Sequence, residues 1–204
     1  MLSAFASESK NIEVARLMSL PSKALEAILI SRGIPPEDLD EVEATLKGIG
    51  VVITPADAIR FTFTRTPIPA QRFNTIHFPA FYTALDEPTC LAEIKYHLGH
   101  SLTTSERRFY QFLYVTFAGE ALTVAGHEAT HPDLVSPSDA GYPFCQRLAS
   151  AARDDGKDAL YATSARCSGI CVPIFSEPTI SNASIRATVR FTFDGTTVQH
   201  EVLA

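Results

Sequence analysis

Phe78-Pro79-Ala80-Phe81-Tyr82-Thr83-Ala84-Leu85, running directly into Asp86-Glu87-Pro88-Thr89-Cys90-Leu91-Ala92-Glu93-Ile94-Lys95-Tyr96-His97-Leu98-Gly99, decides the fold class. The aromatic run 81–85 reads as a short strand. Asp86-Glu87-Pro88-Thr89 then has the features of a helix start, with acidic residues at the positive end of the helix dipole and proline in the first turn. The helix expected over 90–99 separates its residues by angle at about 100° each. Leu91, Ile94 and Leu98 form an apolar stripe, while Glu93 and His97 share a different face with Cys90 beside them.

Outward from this unit, strands are expected at 109–117 and 121–124 and a helix at 143–152. An apolar buried strand follows at 169–175, and an alternating strand at 185–193 closes the sheet. On the N-terminal side, 51–53 and 59–63 read as strands, the second from its alternation Ile59-Arg60-Phe61-Thr62-Phe63. Residues 1–50 read as helices. Pro21-Ser22 precedes a helix over 23–32 that ends at Gly33, and Pro35-Pro36-Glu37-Asp38 opens a second with Leu39, Val42 and Leu46 on one face. A further helix is expected around 11–19. Strands and helices mix without regular βαβ alternation, so the class is α+β: a mixed β-sheet core with surrounding helices, preceded by a small helical N-terminal segment. Residues 1–50 are assigned to packing or docking and 51–204 to the functional domain, and removal of the first segment is expected to leave the fold intact.

Composition bounds the function. The 204 residues are 46% hydrophobic and 20% charged, the values of one globular domain with room for an appendage. Seventeen Lys and Arg against twenty-three Asp and Glu give a net charge of −6. That argues against broad binding to nucleic acid or an anionic membrane, but leaves room for a local basic pocket that takes a phosphorylated small molecule. The N-terminal helices are themselves acidic, so none reads as a recognition helix. No run approaches the roughly 18 apolar residues of a membrane span, and no signal peptide is visible. Cys90, Cys145, Cys167 and Cys171 do not form a disulfide framework, and a cytoplasmic protein with reduced thiols is expected.

Glu93 and His97 are either a solvated pair or two ligands of a metal. His97/His100 and His127/His131 have plausible spacing, but no Cys/His cluster supplies a third ligand, so no metal is expected. Cys167 and Cys171 are separated by three residues rather than the two of a redox or zinc pair. Phosphate-loop and nucleophile-elbow motifs are missing. These residues describe an α+β domain with one distinctive helix face and do not by themselves name a reaction.

Arg72-Phe73-Asn74, the run 78–85 and Thr89-Cys90-Leu91-Ala92-Glu93-Ile94 with His97, followed by Tyr161-Ala162-Thr163-Ser164-Ala165-Arg166 and Gly169-Ile170-Cys171-Val172-Pro173-Ile174-Phe175, resemble the RES domain family over about residues 60–178. Members read Arg-Trp-Asn, then Pro-Ala-Leu-Tyr, then a helix carrying Ala-Glu, then a serine motif. The family's Arg, Glu and Ser have counterparts in Arg72, Glu93 and Ser164, and Tyr82 stands eleven residues before Glu93. The chain departs from the pattern where Ala70-Gln71 replace glycines and Phe73 replaces tryptophan, of which it has none.

The resemblance implies an ADP-ribosyltransferase-like fold and a toxin of a bacterial toxin–antitoxin pair that consumes NAD as substrate, with no further cofactor. The nicotinamide–ribose bond would break, and water or phosphate would take the ribose. In that setting Arg72 clamps the pyrophosphate and Glu93 stabilises the cationic ribose. Ser164 orients the ribose or amide, and Tyr82 contacts the nicotinamide side. Arg60 and Arg65 are candidate second phosphate contacts, Asn74 joins the binding set, and His97 supports Glu93. The implied partners are NAD and a neutralising antitoxin or immunity protein, and a homodimer is compatible. Two alternatives stay open: a mono-ADP-ribosyltransferase that modifies a protein, which Leu91 disfavours because such enzymes place Glu or Gln two residues before the catalytic Glu, and a non-catalytic NAD-binding module.

Overall fold

The computed structural model describes residues 2–19, 33, 35–38, 41, 54–64 and 67–203. The helix expected over 23–32, the body of the second N-terminal helix, the strand 51–53, Arg65 and the boundary at 50/51 lie outside these residues. A 3-10 turn, Pro36–Asp38, occupies the expected opening of the second helix. Among the described residues no helix is long and apolar enough to cross a membrane.

Among the described residues, seven strands and three helices form the core. In chain order they are β1 (Ala6–Ser19), α1 (Pro55–Thr64), β2 (Phe81–Ala84), α2 (Glu87–Ser101), β3 (Glu106–Thr123), α3 (Tyr142–Asp154), β4 (Ala159–Thr163), β5 (Ile170–Ile174), β6 (Ile180–Phe193) and β7 (Val198–Leu203). This is the expected α+β class, but the N-terminus enters as a strand and not as a helical segment. β1 lies antiparallel to β3 from Ala6 opposite Thr123 to Ser19 opposite Tyr110. It also bridges to β2 at Ala15–Ala84. Since β2 pairs with β5, β5 with β4, and β4 runs parallel to the end of β3, these five strands form a closed circuit. β6 takes the other edge of β3, and β7 extends the sheet beyond it.

The misread elements have physical causes. In β1, Val14 and Met18 enter one core cluster while Ala15 and Leu17 enter another. A strand buried on both faces loses its two-residue alternation, and Val14, Leu17 and Met18 mimic a helical stripe. Residues 59–63 belong to α1 rather than to a strand. Thr54 caps that helix, its hydroxyl oxygen accepting from the Asp57 N–H at 3.1 Å, and Pro55 begins it. The expected strands 109–117 and 121–124 are one continuous strand. Gly119 reads as a break, but it admits the side chain of Asp158, which would lie 2.6 Å from a Cβ there. Asp158 in turn accepts from the Glu120 N–H at 2.9 Å. β6 does not close the sheet. Asp194-Gly195, with Gly195 at φ 101°, turns the chain into β7.

α2 positions the site. Asp86 caps it by accepting from the Thr89 N–H at 2.7 Å and the Thr89 hydroxyl at 2.6 Å. Cys90 and Leu98 bury against Ala15, Leu17 and Phe112. The first turn of α2 approaches the start of β5 so closely that a Cβ on Gly169 would lie 1.8 Å from Thr89 Oγ1. That approach brings Glu93, one turn further along α2, beside the end of β4.

Candidate active site

An open cleft of roughly 960 Å³, its mouth included, lies between α2 and the ends of β1, β2, β4 and β5. Arg72, Tyr82, Glu93, Ser164 and His97 all line it, so five of the expected site residues converge. Arg60 does not: it sits on α1, largely exposed, paired with Asp57 at 2.9 Å. Asn74 is buried behind the cleft rather than in its lining.

Glu93 is the lining carboxylate. Ser164, at 4% exposure, donates its hydroxyl proton to Glu93 Oε1 at 2.5 Å, and Cys171 donates to the same oxygen at 3.5 Å. Ser164 is fixed in turn, because its hydroxyl oxygen accepts from the Arg166 N–H at 3.0 Å and its own N–H donates to the Gly169 carbonyl at 2.8 Å. Burial, and then the neighbouring Glu93, push the Cys171 thiol far up, so it stays protonated. Partial burial lowers the pKa of His97, with Glu93 pulling the other way, so its imidazole is neutral at pH 7.

Arg72 is not a free clamp. Its Nη1 donates to the carbonyls of Asp133 at 3.1 Å and Leu134 at 3.3 Å, and its Nη2 to that of Ser136 at 2.6 Å. These carbonyls end the 3-10 turn Pro132–Val135, where a cation is favoured. The sequence offered no signal for this partnership, since sixty-one to sixty-four residues separate the groups.

Tyr82 is likewise engaged. Its hydroxyl accepts from the Phe73 N–H at 2.8 Å and donates to Asn74 Oδ1 at 3.0 Å. Asn74 completes the chain by donating to the Pro69 carbonyl at 3.0 Å. Burial drives the phenol pKa well above its ordinary value, so Tyr82 is a fixed ring and a loop pin rather than a proton donor. Replacing Tyr82 by Phe strips the partner from the Phe73 N–H, and thermal unfolding should show a loss of about 1–3 kcal/mol. An unchanged melting temperature would refute the pin.

Two further arginines line the cleft, Arg166, which stands in the serine motif without an assigned role, and Arg16, which no motif marks. Arg166 stacks 3.2 Å over the Tyr96 ring and donates from Nη1 to the Pro137 carbonyl at 3.0 Å, and its buried Nε has no partner among the described residues. Arg16 enters from β1, which the sequence reading had made a helix. With Arg72, the lining among the described residues carries three guanidinium groups against one carboxylate in a chain of net charge −6. The basic pocket that the acidic composition left open is therefore present, and its charge suits an anionic ligand.

No curated protein sequence matches this chain. A chain of the crystal structure of the M. tuberculosis MbcT–MbcA toxin–antitoxin complex matches with a TM-score of 0.52 and 15% identity, covering 93% of this chain and 87% of that one. At that identity the likeness is one of fold. The RES domain matches residues 51–194, the stretch that supplies Arg72, Tyr82, Glu93 and Ser164, and on that match over well more than half of its length the chain belongs to the RES domain family.

Proposed function

We propose that this protein is an NAD-degrading toxin that breaks the nicotinamide–ribose bond and passes the ribose to water or phosphate. The observation that carries this reading is a carboxylate, Glu93, oriented by Ser164 inside a cleft whose other charged lining groups, among the described residues, are the guanidiniums of Arg16, Arg72 and Arg166. A pyrophosphate-bearing substrate matches the arginines. The carboxylate matches the positive charge that develops on the ribose as nicotinamide leaves, and it stabilises that state more than the neutral sugar. The fold reads as ADP-ribosyltransferase-like. Ser164 orients Glu93, the Tyr82 ring supplies an apolar wall toward the nicotinamide, and Arg72 holds the 133–136 turn at the cleft while adding positive potential.

The acceptor follows from the products. Incubating the purified chain with NAD should release nicotinamide, followed by chromatography. Free ADP-ribose alongside it identifies water as acceptor, and a phosphorylated ADP-ribose identifies phosphate. ADP-ribose found only on protein would favour the transferase alternative. No nicotinamide release would reject NAD cleavage and favour a binding module. The relative of similar fold was crystallised with its antitoxin MbcA. By analogy, a cognate antitoxin that covers the cleft mouth would neutralise this chain.

A further inference from the structure

The proposed chemistry gives Cys171 no part, although it lines the cleft and its sulfur touches Glu93. β5 carries it between two neighbouring strands, directly opposite Ala84 of β2 and Ala162 of β4. Opposed residues of a ladder share one face of the sheet, and both alanines are buried. Of the three side chains only the thiol can hydrogen-bond, and it is directed at α2, 3.5 Å from Glu93 Oε1. The Ser164 hydroxyl reaches the same oxygen at 2.5 Å from just beyond the end of β4.

Two donors from separate strand ends thus converge on Oε1, while among the described residues no hydrogen bond is directed to Oε2. A carboxylate held through one oxygen presents the other in a fixed direction, which is the preorganisation that electrostatic stabilisation requires. Burial keeps the Cys171 thiol protonated, so the sulfur meets Glu93 as a donor and not as a second anion. A thiol also suits a place between two alanines, because it packs as a small hydrophobe and still offers a weak S–H.

We propose that Cys171 is a positioning residue for Glu93, holding Oε1 together with Ser164 so that Oε2 is the oxygen offered to the substrate. This rests on reading Glu93 as the carboxylate that stabilises the cationic ribose. Cys171 itself touches neither substrate nor reacting atoms in this arrangement, and it acts only through Glu93.

Cys171→Ala and Cys171→Ser separate positioning from packing, because the two roles rank them in opposite order. A packing residue between alanines tolerates alanine and is damaged by a buried serine hydroxyl. A donor to Glu93 is lost in the alanine variant and kept in the serine variant. With NAD, Cys171→Ala should lower kcat about three- to tenfold, the scale of one hydrogen bond, at a KM close to that of the wild type. Cys171→Ser should recover most of that loss. Infrared spectroscopy of the protein without substrate reads the contact itself. The Cys171 S–H stretch, assigned by its loss in either variant, should move to higher frequency in Glu93→Gln, where the acceptor becomes neutral. An S–H stretch unmoved in Glu93→Gln, a serine variant slower than the alanine one, or failure of both Cys171 variants to fold overturns the assignment. If the stretch moves as expected but the wild type leaves NAD intact, the contact stands and the NAD reading falls. If NAD is cleaved and Cys171→Ala keeps the wild-type kcat, the assignment of Cys171 falls alone.

Discussion

Glu93→Gln is expected to lower NAD turnover by about 10²-fold or more, the loss typical of removing one preorganised electrostatic stabiliser, while leaving the fold in place. The substitution keeps the length and planarity of the side chain. The glutamine carbonyl oxygen can still accept from the Ser164 hydroxyl, so the 2.5 Å contact and the packing of α2 survive. What disappears is the negative charge, and only the transition state of nicotinamide loss needs it. The effect should therefore fall on kcat rather than on KM, with the melting temperature close to that of the wild type. Initial rates of nicotinamide release, read beside a thermal melt, check both halves. Near-normal turnover by a folded variant would remove Glu93 from the chemistry. A collapsed melt would instead show that its charge holds the Ser164–Cys171 corner together.

How far these features were legible in the sequence depended on how local their causes are. The β2–α2 unit was readable because its signals sit side by side: an aromatic strand, the Asp86 cap and Pro88. α1 was misread because alternation within Ile59-Arg60-Phe61-Thr62-Phe63 outweighed a start signal at Thr54-Pro55 that was equally visible. β1 was misread because burial on both faces erased its period, which only the tertiary structure explains. The site shows the same division. Arg72, Tyr82, Glu93 and Ser164 were located through motifs along the chain, and they do meet in one cleft. Their partners were not legible. The carbonyls that occupy Arg72 come from a turn more than sixty residues away, and the Tyr82 hydroxyl, expected to face the nicotinamide side, is taken up by Phe73 and Asn74. Arg16 was invisible for a compound reason, since it belongs to no motif and stood in a segment assigned to the wrong element.

That reassignment reverses an expectation with a large consequence. Deleting residues 1–19 is expected to abolish the soluble fold, although the sequence reading made the N-terminus dispensable. β1 pairs with β3 along its whole length and closes the circuit through Ala15 and Ala84. Val14, Ala15, Leu17 and Met18 are each at most 6% exposed, and they are shared between two core clusters. Burying a Val-, Leu- or Met-sized side chain contributes about 1.5–3 kcal/mol. Three such residues, together with the strand pairing, approach the 5–15 kcal/mol of net stability typical of a whole domain. The truncation would also bare the edge of β3 over residues 110–123, with the aromatic cores of Phe112 and Phe117 behind it, leaving an unpaired strand prone to association. Expression trials should find the truncated chain insoluble or without a cooperative thermal transition. A soluble truncation that melts cooperatively would show that the circuit can close without β1.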